Sequence, residues 1–345
     1  MSKKILISDP TLRDGNHAVS HQIKQEHFAA YCAAADAAGV PIVEVGHGNG
    51  LGASSMLVGE CALSDETILK TAREHLTRSK MAIHAIPGFC TIHSHVTMAM
   101  DLGVDVFRIA SHCTEADITQ RHIEYVRKRG KEVFGVLMMS HMASPETLAD
   151  EARKMEAYGA EGLIIMDSAG TYLPADVTRR ISTLVDALNI PVGFHAHNNL
   201  GMGIANSVAA VEAGATIIDG SARGFGAGAG NAQLEVLVAV FQQMGFETGI
   251  DLYKMLDAAD LAEKTMIKSM PYISSTSIVS GMSGVFSGFI KQVNAISAAH
   301  SVDPRDIFFE LGRRNAVAGQ ESLILEVALT LKAGQSRQQE EAGHA

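Results

Sequence analysis

The sequence predicts an α/β protein built as a (β/α)8 TIM barrel with a C-terminal helical domain, and three observations carry that prediction. Eight short β-branched or apolar runs recur at intervals of roughly 25 to 40 residues, the spacing of βα crossovers in a parallel sheet. Segments with helical periodicity lie between them, several closing on Ala-Gly, as helices often do. Polar residues follow the runs closely, at the C-terminal strand ends where this fold gathers its chemistry. An open doubly wound sheet is the structural alternative, because strand order cannot be read from one sequence.

In chain order the runs are Ile5 to Asp9, Ile42 to Gly46, Met81 to Ile86, Val106 to Ala110, Val133 to Met139, Gly162 to Met166, Val192 to His197 and Ile217 to Gly220. Helices are expected at Gln25 to Ala38, Pro145 to Tyr158 and Ala205 to Ala213, the last ending at Gly214. After the first run come Asp9, Arg13, Asp14 and His17; after the second, His47 and Asn49; after the fourth, Ser111 and His112; after the fifth, Ser140 and His141. The sixth gives Asp167 and Ser168, the seventh His195, His197 and Asn198, and the eighth Asp219, Ser221 and Arg223. The Gly- and Ser-rich loop His47 to Ser64 is a candidate lid. A catalytic domain over residues 1–250 follows from this pattern.

Past Ile250 helices succeed one another without strands: Leu252 to Glu263, a glycine-rich stretch S-G-M-S-G-V-F-S-G-F at 280–289, Pro304 to Leu311 and Ser322 to Leu331. They make a helical domain over 251–333. The polar segment 334–345 is expected to be a disordered tail.

Composition narrows the function classes. With 345 residues, 47% of them hydrophobic and 19% charged, the chain reads as a compact metabolic enzyme. A formal net charge of -10 disfavours a nucleic-acid or anionic-membrane surface. Cys32, Cys61, Cys90 and Cys113 show no C-x-x-C spacing, so neither a structural zinc site nor a disulfide framework is indicated. The N-terminus has no long apolar segment, and no stretch reaches the roughly 18 apolar residues of a membrane span. A cytoplasmic protein is expected.

The chemistry centres on V-G-F-H-A-H-N-N-L-G at 192–201. Residues i and i+2 of a strand point to one side, so His195 and His197 project together into one cavity. They are either two histidines packed in a barrel interior or half of a metal site that needs a carboxylate, for which Asp14 is the candidate. A second His-x-His, His93 and His95, lies at a helix start, where i and i+2 diverge by about 200°, and is assigned no metal. One carboxylate and two imidazoles leave about three open positions on an octahedral Mn2+, Mg2+, Co2+ or Fe2+ ion. The carboxylate and ketone oxygens of an α-keto acid fit those positions, and a Lewis acid there stabilises an enolate.

Arg13 can place a fixed charge on that enolate oxygen. His17, three residues after Asp14, is suited to taking a proton from a 4-hydroxyl group, with His47 and His141 next in line as base. Gly15 is expected to supply a tight turn. A local ion pair closing a βα loop is the other reading of Arg13 and Asp14. The G-A-G-A-G-N segment at 226–231 lacks dinucleotide-binding spacing and more simply allows close backbone approach near the site.

D-P-T-L-R-D-G-N-H-A, H-C-T-E-A-D at 112–117, M-M-S-H-M at 138–142, D-S-A-G at 167–170, H-A-H-N-N-L-G and G-A-G-A-G-N together resemble the 4-hydroxy-2-oxovalerate aldolases. These are pyruvate-releasing class II aldolases of the superfamily of hydroxymethylglutaryl-CoA lyase and isopropylmalate synthase. The resemblance runs from Ile5 to about Leu331. It implies retro-aldol cleavage of a 4-hydroxy-2-oxo acid to pyruvate and a short aldehyde. It also implies Asp14, His195 and His197 as ligands of Mn2+ (or Co2+ or Mg2+), Arg13 for the enolate, His17 as base, and Ser168 on the substrate carboxylate.

The resemblance further implies a partner, an acylating acetaldehyde dehydrogenase meeting the helical domain, and a homo- or hetero-oligomer. Acyl-CoA members of the superfamily read L-R-D-G-E-Q where this chain has L-R-D-G-N-H, so an acyl-CoA lyase or condensing enzyme is the alternative, with a non-catalytic binding subunit the other. One departure stands out: the aldolases carry tyrosines in the glycine-rich segment, one of them lining the active site, where this chain has Met282 and Phe286. Phe286 is therefore expected at the aldehyde end of the substrate.

Overall fold

The structure, a computed structural model, describes residues 4–343. All eight runs are strands: β1 (Leu6–Leu12), β2 (Ile42–Val45), β3 (Lys80–Ala85), β4 (Val106–His112), β5 (Glu132–Met138), β6 (Gly162–Asp167), β7 (Val192–Ala196) and β8 (Ile217–Asp219). Each lies parallel to its neighbours in chain order, and β8 pairs back onto β1 with Leu6 opposite Ile217, so the sheet is a closed barrel and not an open doubly wound one.

Alternation along the strands divides the interior into two levels. Ile42, Ala82, Val106, Phe134, Ile164 and Ile217 belong to an apolar cluster inside the barrel. Two residues further along four of these strands come Glu44, His84, Arg108 and Asp219, each at most 2% exposed. One period of two thus lifts the interior from a hydrocarbon floor to a charged layer just beneath the C-terminal mouth.

The outer helices follow local rules. Pro145–Tyr158 starts where the Ser144 hydroxyl accepts the Thr147 N–H, with proline in the first turn, and stops at Gly159, whose φ of 110° suits a residue without Cβ. Gln25–Ala38 matches its expected bounds. Among the described residues, no helix is long and apolar enough to cross a membrane.

Two expectations about the C-terminal part are corrected. Leu252–Thr265 buries Met255, Ala258, Ala259 and Ala262 in the barrel's own outer core, packing on the helix Gln25–Ala38. A separate core begins only at Val279 and is built from Phe289, Val293, Ile307, Phe308, Leu311, Ile324 and Val327 among others. The change of architecture therefore comes after this helix and not at residue 250. The tail expected to be disordered instead continues the last helix, Ser322–Gly343, because its Gln, Arg, Glu and Ala residues are good helix formers and one glycine costs only about 1 kcal/mol. Residues 344–345 lie outside the described residues.

Candidate active site

The L-R-D-G-N-H motif leaves β1 and enters a single helical turn, Gly15–Ala18. Gly15 is required there by close approach and not by a turn conformation. A Cβ at this position would sit 2.2 Å from Cδ1 of Phe225, which is buried. This places Asp14 opposite the end of β7. One donor atom each from Asp14, His195 and His197 lies within 4.8 Å of the others, and all three residues are buried.

The two imidazoles meet edge to face, with ring centroids 5.1 Å apart. His195 Nδ1 lies 3.0 Å from Asp219 Oδ2, so Nδ1 carries the proton and Nε2 keeps its lone pair. Both His195 Nε2 and His197 Nδ1 are buried without a hydrogen-bond partner. Unsatisfied buried nitrogens are costly, and a cation shared between them and a carboxylate satisfies them. Burial pushes the His197 imidazole down to about 3, so it is neutral as a ligand must be. Burial pushes the Asp14 carboxyl up, but Arg13 beside it, helped by His197, holds it well below the usual carboxylate range. These donors fit a divalent ion.

His93 and His95 sit on the helical segment Ile92–Val96 and are not part of this group. His95 Nδ1 instead accepts the Thr91 N–H at 3.0 Å.

The ion pair and the metal reading of Arg13 and Asp14 prove compatible. Arg13 Nη1 donates to Asp14 Oδ1 at 2.8 Å, and Asp14 Oδ2 accepts from Asn231 Nδ2 at 2.8 Å and from the Ala227 N–H at 3.3 Å. Oδ1, with one donor on it, retains a second lone pair for a cation, whereas Oδ2 is engaged by two donors. The close backbone approach expected of G-A-G-A-G-N is real, since a Cβ on Gly226 would lie 2.5 Å from Asp14 Oδ2. Asn231 was not singled out from the sequence, although it ends that motif.

Beneath the ligands runs the charged layer, which sequence reasoning also missed apart from Asp219. Glu44 accepts from Arg13 Nε at 3.1 Å and from Arg108 Nη1 at 2.6 Å, and Arg108 Nη2 donates to Asp219 Oδ2 at 2.5 Å. Three carboxylates, Asp14, Glu44 and Asp219, face two guanidiniums, Arg13 and Arg108, leaving one net negative charge under the donor set. Arg13 Nη2 is buried and unpartnered, a donor left over for another anion. The sequence signal was a lone charge in each of I-V-E-V and V-F-R-I-A.

A cavity of about 700 Å3 lies between the barrel mouth and the helical domain; Asp14, His195 and His197 are not among its walls, but Gly226, which packs on Asp14, is. His17, His21, Leu57, Val58 and Phe286 are among its walls, so the loop after His47 covers one side as a lid would. Burial pushes His17 down to about 4, with Asp14 opposing and Arg13 and His47 assisting. Phe286 lines this cavity, with its ring edge-on to Phe289 at 5.8 Å. Met282 is 63% exposed and is not among its walls.

Several other mouth residues are structural. Asp9 accepts from the Tyr31 hydroxyl at 2.7 Å and the Thr11 N–H at 2.9 Å. Asp167 accepts the N–H groups of Thr171 and Tyr172 and folds its loop. Arg223 turns outward to Glu235, Asp260 and Glu263. His47 and His141 spend protons on the carbonyls of Gly59 and Gly284, at 2.9 and 2.8 Å. Ser168 differs from these: its Oγ accepts the Met139 N–H at 3.0 Å and so keeps its own proton to donate, while its carbonyl accepts the Ser287 N–H at 3.1 Å.

The helical domain is fastened to this mouth by polar contacts. Asn199 Nδ2 donates to the Ser277 carbonyl at 3.3 Å, Ser287 Oγ donates to Asn199 Oδ1 at 3.0 Å, and Lys291 reaches Ser20.

Residues 4–262 match the HMGL-like family and residues 271–333 match the DmpG-like communication domain. The chain is 70% identical to the 4-hydroxy-2-oxovalerate aldolase of Pectobacterium atrosepticum, over 96% of both chains. It is 65% identical to that of Spirochaeta aurantia, over 96% of this chain and 98% of the relative. Among solved structures, the N-terminal domain of a putative aldolase from Bacteroides vulgatus superposes with a TM-score of 0.72 at 25% identity, covering 85% of this chain and 99% of that one. Rhizobium etli pyruvate carboxylase gives a TM-score of 0.81 at 16% identity, over 96% of this chain and 36% of that one, a likeness of fold alone. With a family model over residues 4–262 and relatives 70% and 65% identical over nearly the whole of both chains, the chain belongs to the HMGL-like family, among its 4-hydroxy-2-oxovalerate aldolases.

Proposed function

We propose that the chain is a lyase that cleaves a 4-hydroxy-2-oxo acid of the 4-hydroxy-2-oxovalerate type to pyruvate and a short aldehyde at the barrel mouth. The observation that carries the reading is the convergence of Asp14, His195 and His197, with two unpartnered imidazole nitrogens, beside the spare Nη2 of Arg13. In the reaction the 4-hydroxyl proton leaves as the aldehyde forms, the C3–C4 bond breaks, its electron pair becomes the enolate of pyruvate, and that enolate takes a proton at C3 to give pyruvate. His17 is neutral at physiological pH and lines the cavity, so it takes the 4-hydroxyl proton. Arg13 is fixed by Asp14 and Glu44 and offers its free donor to the enolate oxygen. Ser168 is the hydroxyl assigned to the substrate carboxylate, and its own proton is available because Oγ serves as acceptor towards Met139. A divalent ion held by Asp14, His195 and His197 supplies Lewis acidity for the 2-oxo group.

The ion is assigned as Mn2+, with Co2+ or Mg2+ as substitutes, because the donors are one hard oxygen and two imidazoles without a thiolate. Phe286 forms an apolar wall at the aldehyde end. The helical domain is assigned to communication with an acylating acetaldehyde dehydrogenase and to oligomer contacts. Exposed Ile278, Phe309, Leu325 and Leu329 on that domain support this reading. A cytoplasmic location fits four cysteines outside any disulfide.

The test is pyruvate release from 4-hydroxy-2-oxo acids by EDTA-treated protein with and without added Mn2+, alongside His17→Ala. Turnover that depends on the ion and drops 10²- to 10⁴-fold in His17→Ala is expected. Turnover by the metal-free protein, or with acyl-CoA substrates only, would overturn the reading.

A further inference from the structure

Three imidazoles pack together at one side of the cavity, His17 and His21 in its wall and His47 buried behind them. His17 and His21 are edge to face with centroids 5.2 Å apart and planes at 68°, and His21 stacks on His47 at 3.6 Å and 19°. We propose that His21, backed by His47, is a positioning residue that holds the His17 ring in its reactive orientation. The proposal rests on the reading of His17 as the base.

The hydrogen bonds leave His21 and His47 no chemistry of their own. His21 Nδ1 accepts the Gly48 N–H at 3.3 Å, and His47 Nδ1 accepts the Asn49 N–H at 3.0 Å. A nitrogen that accepts from an amide is unprotonated, so each ring carries its proton on Nε2. His47 Nε2 donates to the Gly59 carbonyl at 2.9 Å. Both rings are locked to the backbone of the lid loop as a flat, neutral pair. The charged and titratable groups around them are Asp14 and Arg13 at His17, Asp65 at His47, and Lys291 at His21.

The chain also accepts strain to put His21 there. Ser20 and His21 are consecutive non-glycine residues in the left-handed region, with φ of 56° and 62°. Such residues persist only where surroundings fix them. Here His21 N donates to the Asn16 carbonyl at 2.7 Å, the Ala62 N–H donates to the His21 carbonyl at 2.9 Å, and Lys291 of the helical domain reaches the Ser20 hydroxyl. The reversal turns the chain back after the turn Gly15–Ala18 and sets the His21 ring against His17. On the other side stands Gly48, where a Cβ would come within 2.6 Å of His17 Nε2. His17 is thus confined between an imidazole and a peptide.

Two substitutions separate the ring from its hydrogen bond. His21→Asn tolerates the left-handed backbone and keeps an acceptor for Gly48 but removes the ring. His21→Phe keeps a flat ring and loses the acceptor. In the Mn2+-loaded protein, His21→Asn should lower kcat about 10- to 100-fold, the scale set by misplacing a reacting group by about 1 Å. KM and inhibition by oxalate, an analogue of the pyruvate enolate, should stay within about twofold, and His21→Phe should recover most of kcat. The double variant His17→Ala/His21→Asn should be no slower than His17→Ala, because a residue acting only through the base has nothing left to position.

Near-normal kcat in His21→Asn, equal slowing in His21→Phe, loss of oxalate inhibition, or additive losses in the double variant would each overturn the proposal. His17→Ala alone tests the underlying reading. Normal turnover there removes the base assignment, whereas a slow His17→Ala beside a fast His21→Asn removes only the role of His21.

Discussion

Replacing Asp219 with Asn probes how the charged layer prepares the metal ligands. The Asp219 carboxylate is 1% exposed and uses one oxygen to hold His195 Nδ1 at 3.0 Å and Arg108 Nη2 at 2.5 Å. Asparagine keeps the shape and one carbonyl acceptor but cannot serve both partners as an anion. Two losses follow. His195 is no longer obliged to carry its proton on Nδ1, so Nε2 is less reliably a free lone pair. The layer also goes from one net negative charge to none.

A carboxylate behind a ligating histidine is typically worth 10- to 100-fold in metal affinity, or about 1.4 to 2.7 kcal/mol. Removing one partner of a buried ion pair costs about 3 to 5 kcal/mol of stability. The low end applies here, since Arg108 keeps Glu44 at 2.6 Å. The assay is calorimetric titration of Mn2+ into EDTA-treated wild type and Asp219→Asn, with thermal unfolding of both metal-free proteins. Glu44→Gln removes the same unit of charge without touching His195 and should weaken binding less. Mn2+ affinity in folded Asp219→Asn within twofold of wild type would refute the second layer's role, and equal losses in the two variants would leave charge alone as its contribution.

Three further outcomes are expected. Asp14→Asn, His195→Ala and His197→Ala should each weaken Mn2+ binding and turnover, whereas His93→Ala and His95→Ala should leave both within about twofold, because only the first three converge; equal effects in a Mn2+ titration would count against the assigned centre. Phe286→Tyr adds a hydroxyl to the cavity wall, so wild type should accept aldehydes longer than acetaldehyde, separated by about 1 to 3 kcal/mol per methylene at most, and the variant should sharpen the choice between C4 enantiomers without changing Mn2+ affinity; strict selectivity in wild type, unaltered in the variant, would place the discriminating group elsewhere. Burial pushes Asp36 up, but hydrogen bonds from the N–H groups of Ser79 and Arg78 and the Thr77 hydroxyl outweigh it and bring the carboxyl down to about 2. A group lowered on folding stabilises above its unfolded value and loses that contribution as pH falls from about 4 to about 2, so the stability gap between wild type and Asp36→Asn, measured by denaturant unfolding, should narrow over that range.

The eight strands were legible because each is a local run whose apolar periodicity is written in adjacent residues, and the bounds of Gln25–Ala38 and Pro145–Tyr158 because caps and closing glycines are local too. His195 and His197 could be paired from sequence since a strand's period of two needs no knowledge of its neighbours. Asp14 could be attached to them because barrel strands deliver their ends to one mouth. What joins distant strands could not be read: Arg108 finds Glu44 and Asp219 only because closure brings β4, β2 and β8 around one interior, and Asn231 reaches Asp14 across 217 positions. Nor did any local signal mark the left-handed Ser20 and His21, whose backbone is fixed by Asn16, Ala62 and Lys291, or the steric reason for Gly15, which is Phe225. The helix over 252–265 looked like the start of a new domain because periodicity reveals an apolar face without saying which surface will cover it. Local sequence sets the conformation and the side a residue faces, whereas the partner across the interior is chosen by chain closure, which depends on the whole fold at once.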